Sequence, residues 1–231
     1  MRLTWLGHSA FHLETADRSI LIDPFWTGSP TFPQGYEERR VGRVDAIVVT
    51  HGHEDHLGDT ARLAVKYGAT VVAQYEVCMW LNAKEGVERY EPMNLGGSVE
   101  RDGVRYSMVQ AFHSAGLIKD GAPVAMGDPA GFVIQAEGRT VYHTGDTAIF
   151  SDMALIQRIY QPQVGLVCVG DRFTMGPETA AIACNEFLDL KLIVPTHWGT
   201  FPLLTGDPED FRRCVTRGRV HVATPGEPFD A

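Results

Sequence analysis

The sequence predicts an α/β protein in which short strands alternate with helices. The N-terminal region is a series of short apolar runs broken by polar turns. A β-branched run at residues 45–50 is followed by helical spacing and then by another β-branched run. The second half of the chain repeats this alternation. With 231 residues, 44% of them apolar, the chain can build a sizeable core, and we expect one domain over residues 1–231.

Strands dominate the predicted N-terminal part. Short apolar or alternating runs predict strands at residues 2–6, 10–14, 19–22, 45–50 and 70–73. The run at 45–50 reads Asp-Ala-Ile-Val-Val-Thr and is typical of a buried strand. Residues 57–67 have helical spacing, with Leu57, Ala61, Ala64 and Val65 on one side. Residues 24–43 are rich in Pro, Gly and aromatic residues and predict a long loop.

The second half follows the same style. Apolar runs predict strands at residues 104–111, 131–136, 140–143, 165–169 and 191–195. Helices are predicted at about 153–160 and at 178–188, where Pro177 precedes the second helix. Residues 114–130 lack periodicity and predict a long loop, and such loops in compact domains are often functional. We expect residues 25–35 and 114–130 to line the mouth of a pocket.

Composition excludes several classes of partner. The net charge is −9, and the basic pairs Arg39-Arg40 and Arg212-Arg213 are short and isolated, so a nucleic-acid partner is not expected. The chain has neither a signal-peptide pattern at its start nor a stretch of about 20 apolar residues, so no membrane partner is expected. Four cysteines at positions 78, 168, 184 and 214 form no Cys-x-x-Cys pair. We therefore expect a cytoplasmic protein with reduced thiols, and the sequence is compatible with a homo-oligomer.

The strongest chemical signal is the segment His51-Gly52-His53-Glu54-Asp55-His56, directly after the strand at 45–50. The alternating His51 and His53 can point both imidazoles to one side, while Asp55 and His56 begin the next helix. This arrangement suits two metal ions, and imidazole and carboxylate ligands suit zinc as well as manganese, iron or nickel. The alternative interpretation is a polar turn in which Asp55 stabilises a helix N-terminus. Three histidines within six residues argue against it.

His-x-His-x-Asp-His after an apolar strand resembles the signature of the metallo-β-lactamase superfamily. The resemblance implies a four-layer αββα sandwich. It also implies three further ligands, each after an apolar strand: His113, Asp146 and His197. Alone, each histidine would be interpreted as a surface residue and Asp146 as a turn residue; their joint occurrence, in order, favours ligands.

The resemblance further implies how the seven candidate ligands divide between two divalent ions, of which zinc is the expected metal. One ion is held by His51, His53 and His113, which we call the first group. The other is held by Asp55, His56 and His197, the second group. Asp146 bridges the two ions.

Motifs along residues 1–210 are similar to a narrower group, the UPF0173 metal-dependent hydrolases close to the UlaG-like branch. They are Gly7-His8-Ser9, Ile22-Asp23-Pro24-Phe25, the segment 170–177 and the segment 196–202. The resemblance places Asp23 behind the metal histidines, where a hydrogen bond would fix an imidazole tautomer. Asp171 and Thr174 are weaker candidates for such a role. For His12, His143 and His221 a structural role is expected.

These residues predict a metal-dependent hydrolase that uses a hydroxide on a dinuclear centre against an ester, amide, lactone or phosphodiester bond in a small molecule. Asp55 and His8 are the catalytic candidates. Asp55 could orient the water or take its proton, while His8 could contact substrate, contact a ligand or cap a turn.

Four alternatives remain at this level. A di-iron flavoprotein of the same fold would carry Glu where His53 stands. A nuclease of the superfamily usually needs an extra domain, and a thioester hydrolase has no decisive feature for or against it. The last alternative is a non-catalytic metal-binding or sensing module.

Overall fold

Two seven-stranded sheets form the centre of the protein, for which a computed structural model describes residues 1–231. In chain order the strands are β1 (Arg2–Trp5), β2 (Phe11–Glu14), β3 (Ser19–Ile22), β4 (Ala46–Val48), β5 (Thr70–Gln74), β6 (Tyr90–Met93), β7 (Ser98–Arg101), β8 (Val104–Gln110), β9 (Leu117–Lys119), β10 (Ala122–Val124), β11 (Ala130–Ala136), β12 (Arg139–His143), β13 (Val164–Cys168), β14 (Leu192–Thr196), β15 (Arg219–Val220) and β16 (Pro228–Asp230). The first sheet has the order β16-β1-β2-β3-β4-β5-β6 and the second β15-β14-β13-β12-β11-β8-β7.

The two sheets share one plan. In the first, β1, β2 and β3 are antiparallel, and β3 to β6 run parallel. In the second, β7, β8, β11 and β12 are antiparallel, and β12 to β15 run parallel. This shared plan is the structural basis of the repeated strand and helix pattern in the sequence. The remaining strands, β9 and β10, form a separate hairpin.

Successive strand residues point to opposite faces of a sheet, and both faces of each sheet are apolar. One face packs against the other sheet, and helices cover the outer face. Ile20 and Ile22 join the 23-residue core between the sheets, whereas Leu21 packs under the N-terminal helices. Met108 and Val109 divide in the same way on the second sheet. The predicted four-layer αββα sandwich is thereby confirmed. The helices are α1 (Tyr36–Arg40), α2 (Glu54–Leu57), α3 (Thr60–Tyr67), α4 (Tyr75–Glu85), α5 (Met153–Tyr160), α6 (Pro177–Ile182), which continues into a π-helical turn (Ala183–Phe187), and α7 (Pro208–Cys214).

The helix predicted at 57–67 is in fact two helices that meet at Gly58. Gly58 has φ 38°, and a Cβ there would lie 2.6 Å from the carbonyl oxygen of Pro24. The chain must therefore turn at this glycine to pass the segment after β3. The prediction was also wrong for Val65, which is 62% exposed, whereas Leu63 is buried in its place.

Other differences lie in the connecting segments. The predicted loop at 24–43 contains the one-turn helix α1, and the predicted loop at 114–130 contains the β9–β10 hairpin. The sequence patterns did not predict α4 and α7 or the edge strands of either sheet. None of the helices has both the length and the apolar character needed to cross a membrane.

Candidate metal centre

The candidate ligands lie at one end of the sandwich, because they follow the carboxyl ends of β4, β8, β12 and β14. In open α/β sheets the carboxyl ends of parallel strands form the usual binding crevice. Here β4 and β14 belong to different sheets, so the crevice is shared between the two halves of the molecule. Residues that are far apart in the chain thereby meet at one place.

The first group is a cluster of three imidazoles. His51 Nε2 and His53 Nδ1 are 2.9 Å apart, and one ring nitrogen from each of His51, His53 and His113 lies within 4.8 Å of the others. Gly52 permits the close approach of Met126, since a Cβ at this position would overlap the Met126 side chain. The loop after β8 therefore packs directly on the His51–His53 turn, as expected for a segment that shapes the mouth.

The second group is deeper. His56 and His197 are buried, and their rings are stacked with centroids 5.7 Å apart. Asp55 contributes a carboxylate oxygen within 4.8 Å of a ring nitrogen from each of these histidines. His8 belongs to the same four-residue cluster, so the structure brings it to the centre from the turn between β1 and β2.

Asp146 lies between the two groups. Its Oδ2 is 3.3 Å from His56 Nε2 and 2.9 Å from His197 Nε2, both in the second group. The same oxygen is 3.6 Å from His113 Nε2 in the first group. A carboxylate in this place can contact an ion in either group.

One buried oxygen at the centre lacks a partner within the protein. Asp146 Oδ1 is buried and forms no hydrogen bond, and the only protein partner of His56 Nε2 is Asp146 Oδ2, at 3.3 Å. Buried polar groups are nearly always satisfied, so the Asp146 carboxylate has room for a further partner. Imidazole nitrogen and carboxylate oxygen are ligands that zinc prefers. The residues present therefore fit a divalent metal site.

The electrostatics of the centre favour a cation. Burial opposes the charged form of His56, but the adjacent Asp146 and Asp23 carboxylates outweigh it and hold the His56 pKa well above its usual value. Burial would likewise raise the pKa of Asp146, but His197 and His56 hold it well below its usual value. Asp146 therefore stays ionised, and positive charge is stabilised beside it.

Asp23 and Thr50 orient two of the candidate ligands. His56 Nδ1 donates to Asp23 Oδ2 at 2.7 Å, and His51 Nδ1 donates to Thr50 Oγ1 at 3.0 Å. Thr50 in turn donates to both oxygens of Asp23, at 2.8 Å from its amide and 2.7 Å from its hydroxyl. These bonds leave the Nε2 atoms of both histidines free to face the centre, which is how protein groups usually orient metal histidines.

His8 is fully buried, and both its ring nitrogens have partners. Nε2 lies 3.1 Å from Asp55 Oδ2, and Nδ1 lies 2.9 Å from Thr200 Oγ1. Burial and the neighbouring His197 lower the pKa of His8 to about 4, so the ring is neutral at neutral pH. An ionised carboxylate only accepts hydrogen bonds, so Nε2 carries the proton and donates to Asp55. Nδ1 then accepts from the Thr200 hydroxyl, whose other contact, with Trp198 O, is longer at 3.4 Å.

Asp171 has no hydrogen bond to a candidate ligand. It has φ 62° in the turn after β13, and its Oδ2 accepts from Thr205 Oγ1 at 3.2 Å. Asp171 and Thr205 face a cavity of about 620 Å³ between α6 and α7, which none of the candidate ligands lines. Thr174, also in this turn, donates to the carbonyl oxygen of Met175. Of the residues predicted to support the ligands, only Asp23 contacts one of them directly.

The remaining histidines have other environments. His12 contacts the Tyr36 and Ser19 hydroxyls, and His143 contacts Ser9 O and the Gly145 amide. His221 packs against Phe229, with ring centroids 4.6 Å apart. None of the three is part of a metal-binding cluster.

Sequence reasoning missed three hydroxyl residues: Thr50, Ser114 and Thr200. Ser114 Oγ lies 3.2 Å from His53 Nε2 and so holds the far side of that ring. Each of the three is next to a motif histidine or within three residues of one, which is the only signal that the sequence offered.

The fold and the centre define a metal-dependent hydrolase of the beta-lactamase superfamily. The sequence profile of the beta-lactamase superfamily domain matches residues 18–198. A UPF0173 metal-dependent hydrolase from Methylobacterium nodulans is 46% identical over 229 residues, which cover 97% of this chain and 96% of that protein. Another, from Methanopyrus kandleri, is 42% identical over the full length of both chains. The chain belongs to the UPF0173 metal-dependent hydrolases of this superfamily.

Solved structures agree with the fold. Igni18, a metallo hydrolase from the archaeon Ignicoccus hospitalis, is 34% identical with a TM-score of 0.87, over 100% of this chain and 98% of that one. An isothiocyanate hydrolase from Delia radicum gut bacteria has a TM-score of 0.74 over 100% of this chain and 99% of that one. It is only 17% identical and shows the fold alone.

His113→Ala should reduce the metal content of the protein, because the first group would keep only two of its three nitrogens. We expect one metal equivalent per chain less than in the wild type, measured by elemental analysis after zinc loading and gel filtration. His221→Ala is the matched control, since His221 lies outside the centre. A His113→Ala protein with the full metal content would remove His113 from the ligand set.

Proposed function

We propose that the protein binds two divalent ions and uses them to hydrolyse an ester, amide, lactone or phosphodiester bond in a small molecule. The observation that carries this proposal is the position of Asp146. Its Oδ2 lies within 3.6 Å of nitrogens from both groups, so one carboxylate is shared between two sets of ligands. A site for a single ion would not need two groups of ligands, one on each side of a buried carboxylate.

The two groups divide the ligands in the proposal. His51, His53 and His113 would hold one ion, and Asp55, His56 and His197 the other, with Asp146 between them. Bound ions would supply Lewis acidity and lower the pKa of a coordinated water toward about 7. Zinc is the preferred metal, because the donors are nitrogen and oxygen and the predicted sets are of three residues plus a shared carboxylate. Manganese, iron and nickel accept the same donors.

Asp55 and His8 act together in this proposal. The hydrogen bond from His8 Nε2 occupies Asp55 Oδ2 and fixes the rotation of the carboxylate. Burial would raise the pKa of Asp55, but the hydrogen bond from His8 and the nearby His56 hold it well below its usual value. The ionised carboxylate can then ligate through its other oxygen and accept a hydrogen bond from the attacking water. His8 is buried beneath Phe25 and Phe201, so we assign it a positioning role.

A small-molecule substrate fits better than a nucleic acid. The chain carries a net charge of −9. None of the hydrogen bonds or ion pairs of the seven candidate ligands involves Lys or Arg. The candidate ligands therefore offer a polyanion no directly paired basic side chain.

Removal of the metal should abolish hydrolysis, because the proposal takes the nucleophile from water at the ions and gives Ser114, whose Oγ lies 3.2 Å from His53 Nε2, only a supporting role. Suitable probes are p-nitrophenyl acetate and bis(p-nitrophenyl) phosphate. We expect any turnover by the zinc-loaded enzyme to fall to the background rate after dialysis against a chelator, and to return when zinc is added. Turnover that persists in protein shown to be metal-free would contradict the proposal.

His8→Ala should lower the affinity of the second group for its ion, because the substitution removes the hydrogen-bond donor that fixes the Asp55 carboxylate. Loss of such a supporting bond usually lowers metal affinity about 10- to 100-fold. His8→Gln retains an N–H at the same reach and should stay within about tenfold of the wild type. Both variants place a side chain at φ 53°, so backbone strain is common to them.

Stepwise zinc titration with a competing chelator measures these affinities. His12→Gln is the control, since the partners of His12 are Tyr36 and Ser19. Equal losses in His8→Gln and His8→Ala would contradict a positioning role and make His8 a direct ligand.

A further inference from the structure

Exposed aromatic side chains flank the metal centre on two sides. Phe201 is 37% exposed and Phe112 is 56% exposed, although both neighbour motif residues at the buried centre. Large apolar side chains that remain exposed in a group often mark a binding surface. Phe112 and Phe201 follow the strands that lead to His113 and His197. We therefore expect the substrate to cover this aromatic surface.

The first aromatic wall covers the second group. Phe25 and Phe201 contact each other with ring centroids 6.2 Å apart. Both approach the His8 ring edge-on, at 5.9 and 5.6 Å. Leu203, 49% exposed, follows on the same loop. A group bound beside Asp55 and His197 would therefore lie next to apolar surface.

The second aromatic wall is next to the first group in the chain. Phe112 immediately precedes His113 and packs edge-on against Phe150, with centroids 5.2 Å apart. The backbone of Phe112 is held on both sides: its amide donates to Thr147 Oγ1 at 2.9 Å, and its carbonyl accepts from the Ala148 amide at 3.0 Å. Thr147 directly follows Asp146, so these bonds tie the backbone of Phe112 to the segment that carries Asp146.

Charge at the mouth agrees with an apolar occupant. The candidate ligands form no ion pair with Lys or Arg, and no Lys or Arg lies over the rings of Phe25, Phe201, Phe112 or Phe150. An anionic substituent held on these rings would lose water and gain no ion pair from them. A neutral apolar substituent loses nothing and gains burial against aromatic rings.

We propose that the two aromatic walls select substrates whose groups next to the scissile bond are neutral and apolar, held by Phe25 with Phe201 or by Phe112 with Phe150. This proposal rests on the proposed function, since it takes the metal centre as the place of reaction. It names the substrate class as small alkyl or aryl esters, amides or lactones, and it disfavours phosphorylated and carboxylated metabolites.

Alkyl hydroxamates separate the walls from the metal centre, because the hydroxamate chelates zinc and the tail is varied independently. Binding to zinc-loaded protein is measured by calorimetry along the series from acetohydroxamate to octanohydroxamate. We expect affinity to rise about two- to fourfold per methylene until the wall is covered. A hydroxamate of equal length that ends in a carboxylate should bind no better than acetohydroxamate.

Phe201→Ser and Phe112→Ser test the walls directly. A single tail can lie on only one wall, so one of these variants should lose most of the gain along the series when each affinity is compared with that variant's own affinity for acetohydroxamate. Val65→Ser is the matched control, an exposed apolar residue on α3, and it should keep the full gain.

Different results would contradict the aromatic walls and the metal centre. If acetohydroxamate binds but affinity does not change with tail length, or if the gain survives in both Phe variants, the aromatic walls do not select substrate. If acetohydroxamate does not bind zinc-loaded protein, the metal centre itself is contradicted, and the substrate proposal falls with it.

Discussion

Asp146 is a buried carboxylate with imidazoles on several sides, and the arrangement of the centre depends on how its two oxygens are compensated. Burying an ionised group is costly unless partners compensate for the lost water. His56 and His197 supply part of the compensation to Oδ2, but Oδ1 has no partner in the protein. The raised pKa of His56 places positive charge on one side of this carboxylate. A bound cation would complete the compensation at the other oxygen.

The architecture follows from the need to bring distant strand ends to that carboxylate. His51 and Asp146 belong to different sheets, and only the face-to-face packing of the sheets joins them. The core between the sheets holds the strands in register, and hydrogen bonds with Asp23, Thr50 and Ser114 then orient the rings. Precision at the centre therefore depends on a rigid apolar interior, while the aromatic residues proposed to contact the substrate lie at the ends of the strands or in loops.

Much of this could be predicted from the sequence where the signal is local. The segment from His51 to His56 is compact, and the later candidate ligands follow apolar strands in order, so the fold and the clustering of these residues could be predicted. Asp171 was a different case. It follows a buried strand as the ligands do, but its left-handed φ turns the side chain toward Thr205, and no sequence pattern records that turn. The break at Gly58 depends on a carbonyl of Pro24, far away in the chain. Serine and threonine are so common that the sequence alone does not single out a residue such as Thr200.

In the proposed centre two ions share Asp146. Anomalous scattering from zinc-loaded crystals, recorded on both sides of the zinc absorption edge, distinguishes this arrangement from a single-ion site. Two peaks are expected about 3.5–4 Å apart, one at the first group and one at the second, with Asp146 in contact with both. A single peak, or two peaks of which only one contacts Asp146, would contradict it.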